Sequence, residues 1–407
     1  PYAAATDEEK KGWKGWVDIE SNPSIFNVML REFGVAGVKV QEIYSLDEDI
    51  LATLPLPIYG IIFLFQYQIV DEGTQNAPCP SKVWFANQLR GTNACGTIAL
   101  VNIVNNIPEV DLGEQLKHFK DDTMDLDPME RGRRLDKFDH LKAIHNSFAR
   151  KIDILQLDLG LWQDREAAKK PTESVKDVYD NDSAYHYVAY MPIDGTIWKL
   201  DGLDDSPQNL GECDHETWLN ITAPLLQERM AEFSAAGVNF NMMALVKDPF
   251  IEQRLDLASN IKLINAIEER LTAVKPDWRT FDDEDDSEVI VGIDETYIIT
   301  SEILDSVIVL PSASTKVAND TDPTTLLEFR SRAMNQQAHR RRSIRLELDD
   351  VDMDEKKASD ERKDYGPFVQ HWLMELAECG ELRGVADKFK VVEAEKKRLA
   401  KFAGKKK

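Results

Sequence analysis

One cysteine stands where a polar turn meets an apolar run, in the stretch NQLRGTNACGTIALVNIV at residues 87 to 104. Gly91, Thr92 and Asn93 precede Cys95 and favour turns and helix N-caps, whereas the IALVNIV run after it is compatible with a helix. A thiol attacks as the thiolate, and the positive end of a helix dipole favours that charged form. The pattern fits a nucleophile at a helix N-terminus, although a buried core thiol would show the same local sequence.

A histidine and an aspartate fall on the two arms of a predicted β-hairpin. The dipeptide Asp194-Gly195 separates two strand-like segments and is the strongest short-range signal for a type I′ turn. Counting outward from that turn, His186 faces Leu203, and Asp201 projects from the same face of the sheet. Such diagonal neighbours lie roughly 7–8 Å apart at the backbone, so an imidazole nitrogen could meet the carboxylate.

This pairing has a use in catalysis, because a carboxylate fixes the tautomer and orientation of an imidazole. The ring can then take a proton from a thiol and return it to a leaving amine. We therefore predict a triad of Cys95, His186 and Asp201, the alternative being a histidine satisfied by backbone or solvent and an aspartate that caps a turn. Gln88, which follows the VWFAN segment, is the predicted oxyanion donor beside the Cys95 N–H, although a surface glutamine would fit this position equally.

Composition limits the classes of protein that fit this chain. Its 407 residues, 43% of them hydrophobic, allow one substantial core and a smaller second module. A formal net charge of −24 disfavours nucleic acid as a partner for most of the chain and favours partners with a basic face. Four cysteines without a CxxC pair indicate free thiols rather than a disulfide framework or a structural zinc site, and we expect no cofactor.

The hydropathy pattern predicts a soluble chain with no membrane contact. The first residues carry charges where a secretory signal needs an apolar core, and no run of about eighteen apolar residues occurs. We therefore expect the protein in the cytoplasm and the nucleus.

Residues 1–248 read as one mixed α/β domain. Strands are expected over 59–67 and 185–192, and helices over the SIFNVMLREFGV segment and after Cys95. Residues 151–184 read as a long loop, which is uncommon inside a compact domain unless it is functional or disordered.

The rest of the chain reads as helical extensions. Residues 249–321 are expected to hold a helix that closes near Pro276, an acidic linker and a possible hairpin over 289–310. Residues 322–407 are expected to hold a polar helix over 323–348, a helical hairpin over 365–389 that turns at Gly380, and a basic tail. That tail is the one place where nucleic acid contact is predicted.

With these positions identified, the chain resembles the ubiquitin C-terminal hydrolases, a family of papain-like cysteine deubiquitinases. The resemblance runs in order through GWVDIESNPSIFNVMLREFGV, YGIIFLFQYQ, NQLRGTNACGTIALVNIV, HYVAYMPIDGTIWKLDGLDDSPQNLG and FNMMALVKD. By that resemblance Cys95 is the nucleophile, His186 the general acid and base, Asp201 its orienting carboxylate and Gln88 the oxyanion donor. The activity implied is cleavage of the peptide or isopeptide bond after the C-terminal glycine of ubiquitin, with ubiquitin and its conjugates as partners.

The resemblance also implies an α+β fold with a knotted backbone, an exception to the usual rule against threaded chains. Its central antiparallel sheet is flanked by helices, and residues 151–184 form a crossover loop over the active site. One departure concerns the glutamine, because family members commonly place it six residues before the cysteine, whereas here the interval is seven. If that extra residue misplaces the donor, Asn87 is the substitute, or the chain is a catalytically weak ubiquitin-binding scaffold.

A second resemblance covers DYGPFVQHWLMELAECGELRGV, which is similar to the C-terminal extension of the long-chain branch of the family. That likeness implies docking to a proteasomal ubiquitin receptor or to a chromatin-associated adaptor. Phe368, Trp372 and Leu376 are the expected docking face, although a hairpin packed on its own long helix would use the same residues.

Overall fold

The computed structural model describes residues 2–66, 78–168, 185–214, 216–237, 239–281, 287–384, 386–388 and 390. Within these ranges, six strands form one sheet, β1 Val38–Glu42, β2 Ile58–Gln66, β3 Tyr185–Ile193, β4 Thr196–Leu200, β5 Gln208–Glu212 and β6 Phe240–Lys247. The helices are α1 Asp7–Gly12, α2 Pro23–Phe33, α3 Glu48–Leu51, α4 Cys95–Val104, α5 Gly113–Thr123, α6 Pro128–Asp136, α7 Asp139–Asn146, α8 Lys151–Ala168, α9 Trp218–Ala236, α10 Phe250–Val274, α11 Ser301–Ser306, α12 Pro311–Asn319, α13 Pro323–Glu361 and α14 Gly366–Glu378, with a 3₁₀ turn at Trp278–Phe281.

The sheet has the strand order β1-β6-β2-β3-β4-β5, and each neighbouring pair is antiparallel. Both of its faces are covered. On β3, Tyr187 and Ala189 belong to the core that includes α2 and α4, whereas Val188 and Tyr190 belong to the core that includes α9. A strand buried on both faces reads as a continuous apolar run rather than an alternating one. The predicted α+β architecture with an antiparallel sheet between helices is confirmed.

The hairpin that carries the candidate site has the predicted register. Ile193 lies opposite Thr196 and Ala189 lies opposite Leu200. Asp194 and Gly195 have φ angles of 49° and 75°, as a type I′ turn requires. The predicted strands at β2 and β3 and the predicted helices α2, α4 and α10 are also present.

The expected loop over 151–184 is wrong in its first half, because α8 occupies Lys151–Ala168. The Asp153 carboxylate accepts a 3.0 Å bond from the Arg150 N–H and so caps the helix, and Ile154 is buried with Val17. The local capping bond and the burial of Ile154 against Val17 together compensate for a weakly periodic sequence. Residues 169–184, and with them the rest of the predicted crossover loop, lie outside the described residues. The knot stays a prediction.

Two expectations for the C-terminal part also need correction. Instead of a hairpin over 289–310, the chain has an isolated bridge between Asp294 and Ile299 followed by α11, whose N-cap Thr300 accepts a bond from the Ile303 N–H. Ile290 and Ile299 pack with apolar residues of α10 and α13, so burial on helices replaces strand pairing.

The polar helix predicted over 323–348 continues to Glu361. Its acidic second half pairs with basic residues of the first domain, since Arg31 lies 2.9 Å from Glu355 and Lys39 lies 2.6 Å from Glu347. Because α13 also packs along α10, it contacts both parts of the chain.

The domain division at 248 and 321 stays a prediction. The acidic run at 282–286 and the basic tail from 391 lie outside the described residues.

In the part of the chain that the structure describes, no helix has the length and hydropathy needed to cross a bilayer.

A buried histidine ties α4 to the N-terminal segment. His145 is fully buried, its Nδ1 lies 2.7 Å from Thr97 Oγ1 on α4, and its Nε2 lies 2.8 Å from the Val17 carbonyl oxygen. The neutral ring satisfies both contacts if Thr97 donates to Nδ1 and Nε2 donates to Val17. Burial lowers the pKa of His145 to about 4.

We expect acid to destabilise the fold through His145. The pKa of His145 is about 4 in the folded chain and ~6.5 when unfolded. The contribution of the buried neutral ring to the free energy of unfolding is therefore complete above pH ~6.5 and is lost as the pH falls to about 4. The loss approaches ~3 kcal/mol. Urea unfolding at a series of pH values should show a steeper decline between pH ~6.5 and ~4 in the native chain than in His145→Gln. Parallel curves for the two proteins would contradict this assignment.

Candidate active site

Cys95 is the first residue of α4 and is 9% exposed. The residue at the N-cap is Ala94, which makes no side-chain capping bond, so the predicted cap residues have another role. Thr92 donates from its backbone N–H and its hydroxyl to the Leu89 carbonyl oxygen at 3.2 and 2.7 Å, and Gly91 has a φ of 78°. This turn presents the sulfur at the positive end of the helix, as predicted.

His186 and Asp201 are joined by a short hydrogen bond. Nε2 of His186 lies 2.6 Å from Oδ1 of Asp201, and both residues are buried. The Leu203 N–H donates to the same Oδ1 at 3.0 Å, which fixes the carboxylate. His186 also hydrogen-bonds Cys95. Since Nε2 is committed to Asp201, we infer that the sulfur contacts Nδ1, so the structure brings the three predicted triad residues together.

The charges in this chain of contacts favour an imidazolium. Burial alone would lower the pKa of His186, but its hydrogen bonds to Asp201 and Cys95 outweigh burial and raise the pKa to about 9. Burial would raise the pKa of Asp201, but the hydrogen bond and charge of His186, followed by the charge of Lys199, lower it. At neutral pH the proton therefore resides on the ring, and the carboxylate stays ionised.

Gln88 lies beside the turn that leads into α4. Its amide Nε2 donates to the Thr92 carbonyl oxygen, and its backbone N–H donates to the Gly202 carbonyl oxygen at 2.8 Å. A primary amide carries two N–H donors, so the bond to Thr92 leaves one for an oxyanion. The turn closed by Thr92 lies within the interval between Gln88 and Cys95. Gln88 Cβ and Ile98 of α4 both lie close to Gly202, so Gln88 is near the first turn of the helix.

Asn87, the substitute considered from the sequence, is committed elsewhere. Its Nδ2 donates to the carbonyl oxygens of Asp204 and Gly202, and its backbone N–H donates to the Pro128 carbonyl oxygen at 3.0 Å. The amide therefore holds the turn after β4. The geometry favours Gln88 over Asn87 as the oxyanion donor.

Gly202 lies where the segment after the hairpin packs closely against α4. A Cβ at this position would lie 2.9 Å from Ile98 Cγ2 and 3.1 Å from Gln88 Cβ. Only a residue without a side chain lets the segment after Asp201 approach both neighbours so closely. The close approach sets the distance between the carboxylate and the helix that carries Cys95.

Two charged residues near the triad are absent from the sequence prediction. Lys199 and Asp204 are both close to Asp201, with Lys199 Nζ 3.6 Å from Asp201 Oδ2 and 3.4 Å from Asp204 Oδ2. The signal available in the sequence is the spacing KLDGLD, which places a lysine and a second acid on either side of Asp201. A lysine inside a predicted buried strand requires a partner, and that requirement points to this pair.

The sequence profile described as ubiquitin carboxyl-terminal hydrolase, family 1, matches residues 16–231, which contain all four predicted site residues. The chain belongs to this family. The resemblance drawn from the sequence is thereby confirmed, while the catalytic role of each residue stays a prediction.

Individual relatives cover the same region. The ubiquitin carboxyl-terminal hydrolase ubh-4 of Caenorhabditis elegans is 38% identical over 234 residues, which is 57% of this chain and 66% of the relative. Ubiquitin carboxyl-terminal hydrolase 2 of Schizosaccharomyces pombe is 36% identical over 237 residues, or 57% of this chain and 73% of the relative. The chain thus spans about two thirds of the first relative's length. The crystal structure of Trichinella spiralis UCH37 bound to ubiquitin vinyl methyl ester has 31% sequence identity and a TM-score of 0.46, covering 60% of this chain and 86% of that one.

We expect the His186 ring to titrate near pH 9 in the native chain and at a lower pH in Asp201→Asn. Removing the carboxylate charge destabilises the imidazolium, so the midpoint should fall by about one unit or more. NMR of ¹⁵N-histidine-labelled protein measures this midpoint, and the His186→Ala spectrum assigns the signal. Asp136→Asn, a change to an acid outside the site, is the control. An unchanged midpoint in Asp201→Asn would show that the carboxylate does not govern the ring.

Proposed function

We propose that this chain is a thiol-dependent hydrolase that cleaves the peptide or isopeptide bond after the C-terminal glycine of ubiquitin. The observation that supports this most directly is the buried chain of contacts from Cys95 through His186 to Asp201 within the region that matches the family. The net charge of −24 suits a partner with a basic binding face.

The proposed reaction begins with the Cys95 thiolate and the His186 imidazolium. The thiolate attacks the carbonyl carbon of the terminal glycine, and the Gln88 amide and the Cys95 N–H stabilise the oxyanion. The tetrahedral intermediate collapses as the His186 proton passes to the leaving amine, which yields a thioester. His186 then takes a proton from water, the hydroxide adds to the thioester, and the second collapse releases the ubiquitin carboxylate and restores the thiolate.

Substitutions of Cys95, His186 and Gln88 should each remove a different part of the reaction. Cys95→Ala should abolish both turnover of a fluorogenic ubiquitin amide and the covalent adduct with a ubiquitin-derived electrophile. His186→Ala should lower kcat by about 10³-fold or more while leaving ubiquitin affinity largely intact, because the ring acts on the reacting atoms. Gln88→Ala should lower kcat by about 10²-fold, the usual effect of losing one oxyanion donor.

The matched control for the nucleophile is Cys213→Ala, which changes a free thiol on another part of the domain. It should retain turnover and the adduct. An adduct that persists in Cys95→Ala would overturn the proposed nucleophile. Ubiquitin binding by the native chain without turnover would instead favour the second candidate, a catalytically weak scaffold.

We further propose that a partner docks on α14 and regulates the enzyme in the cytoplasm and the nucleus. Phe368 is 68% and Trp372 is 55% exposed, which argues against the alternative that they pack on α13. Leu376, the third expected docking residue, is half-buried. Contiguous exposed apolar residues of this size mark interaction sites, and a proteasomal ubiquitin receptor or a chromatin-associated adaptor is the proposed occupant.

Asp364 connects this docking helix to the catalytic domain. Its Oδ1 accepts a 2.8 Å bond from the Gly366 N–H at the start of α14, and its Oδ2 accepts a 2.9 Å bond from the Lys151 N–H at the start of α8. Since α8 comes directly before β3 in the order of the described elements, a partner that shifts α14 acts on the element that precedes the strand of His186. This contact supports regulation through the extension.

Trp372→Ala should weaken the binding of the cognate partner by about 2 kcal/mol or more, because a large aromatic ring is a typical interface anchor. Calorimetry with each purified candidate partner measures the loss, and Leu346→Ala, which removes an exposed apolar side chain from α13, is the control. Asp364→Asn should preserve partner affinity but reduce the partner's effect on kcat. Equal affinity for native and Trp372→Ala proteins would exclude this docking face.

A further inference from the structure

Lys199 is a buried lysine whose ammonium faces the carboxylate that orients His186. It lies on β4 and is 6% exposed. Its Nζ lies between Asp201 Oδ2, at 3.6 Å, and Asp204 Oδ2, at 3.4 Å. Burying a lysine is costly unless its charge is compensated, so a lysine at this position requires these partners.

The two oxygens of Asp201 have different neighbours. Oδ1 accepts from His186 Nε2 and from the Leu203 N–H, whereas Oδ2 faces the Lys199 ammonium. Contacts on both oxygens determine the rotation of the carboxylate. The ammonium therefore helps to hold Oδ1 in the position that the imidazole needs.

A second acid beside Asp201 makes this compensation necessary. Burial and then the charge of Asp201 raise the pKa of Asp204, while Lys199 acts in the opposite direction. Burial would lower the pKa of Lys199, but the charges of Asp201 and Asp204 raise it. With Lys199 charged, both carboxylates can be ionised in the same buried region.

We propose that Lys199 is a positioning residue for the hydrolysis, holding Oδ2 of Asp201 and offsetting the charge of Asp204 so that Oδ1 stays ionised and directed at His186. This role rests on the proposed function of the triad. Lys199 acts through Asp201 and does not itself contact the reacting atoms.

The groups that face this cluster come from several elements. His186 and Tyr190 approach from β3, with Tyr190 opposite Lys199 in the register, and Cys95 of α4 interacts with the His186 ring. Gln208 of β5 donates to Asp204 Oδ2 at 2.7 Å. From α9, Arg229 donates to the Tyr190 hydroxyl at 3.4 Å. Removing the Lys199 charge takes away the cation that lies next to Oδ2 of both carboxylates. The imidazolium should then hold its proton to a higher pH, which is the opposite of the effect expected for Asp201→Asn.

The test combines Lys199→Met with Lys199→Met/Asp204→Asn, which removes one positive and one negative charge together. Lys199→Met should lower kcat for the fluorogenic ubiquitin amide about 10-fold with little change in KM. It should also move the NMR midpoint of His186 upward by about 0.5 unit or more. The double variant should restore the midpoint and most of kcat, because the net charge around Asp201 is again that of the native chain.

Lys142→Met is the matched control, since Lys142 is also buried and pairs with Asp136 at 2.9 Å outside the site. It should lower the melting temperature without moving the His186 midpoint, and the melting temperatures of all variants report on folding. An unchanged His186 midpoint in Lys199→Met, or a kcat loss that persists in the double variant, would overturn the role of Lys199. A native chain without turnover would overturn the proposed function instead, and the His186 titration would still show whether Lys199 acts on the ring.

Discussion

A buried imidazole carries a proton at neutral pH only if its neighbours outweigh the loss of water, and the Asp201 carboxylate provides the main compensation for His186. Much of the surrounding architecture serves this contact. The hairpin turn sets the register of the two strands, Gly202 allows the turn after β4 to approach α4, and the Leu203 N–H holds the carboxylate. A site of this kind is positioned by secondary structure rather than by mobile loops.

The parts of the site that depend on local rules were predictable from the sequence. Asp194-Gly195 specifies a turn type, the turn type specifies the register, and the register places His186 near Asp201. The start of α4 was likewise indicated by the change from polar to apolar residues, although the cap itself is Ala94. No residue spacing within one element predicts that Cys95 meets His186, because that contact depends on packing between α4 and β3. The pairing is predicted from what a thiol and an imidazole can do together, and the family resemblance agrees with it.

The errors arise where tertiary contacts decide the conformation. Residues 151–168 have weak helical periodicity, yet capping by Asp153 and burial of Ile154 support a helix. The second half of α13 is too acidic to be expected to pack, but basic residues of the catalytic domain lie along it. Lys199 is only partly predictable, since the spacing KLDGLD indicates that a buried lysine needs an acidic partner but gives no distances until the turn after β4 is placed.

The length of α13 has a geometric consequence for the docking helix. With 39 residues it extends about 58 Å, and it is held along its course by α10 and α2. Each residue turns a helix by about 100°, so inserting one residue in α13 would rotate the direction of Trp372 about the helix axis by that angle. Inserting seven residues, which is close to two full turns, would leave its direction nearly unchanged. Length variation in α13 is therefore tolerable only in near-integral turns, because the orientation of α14 depends on the number of residues in α13 as well as on the Asp364 contacts.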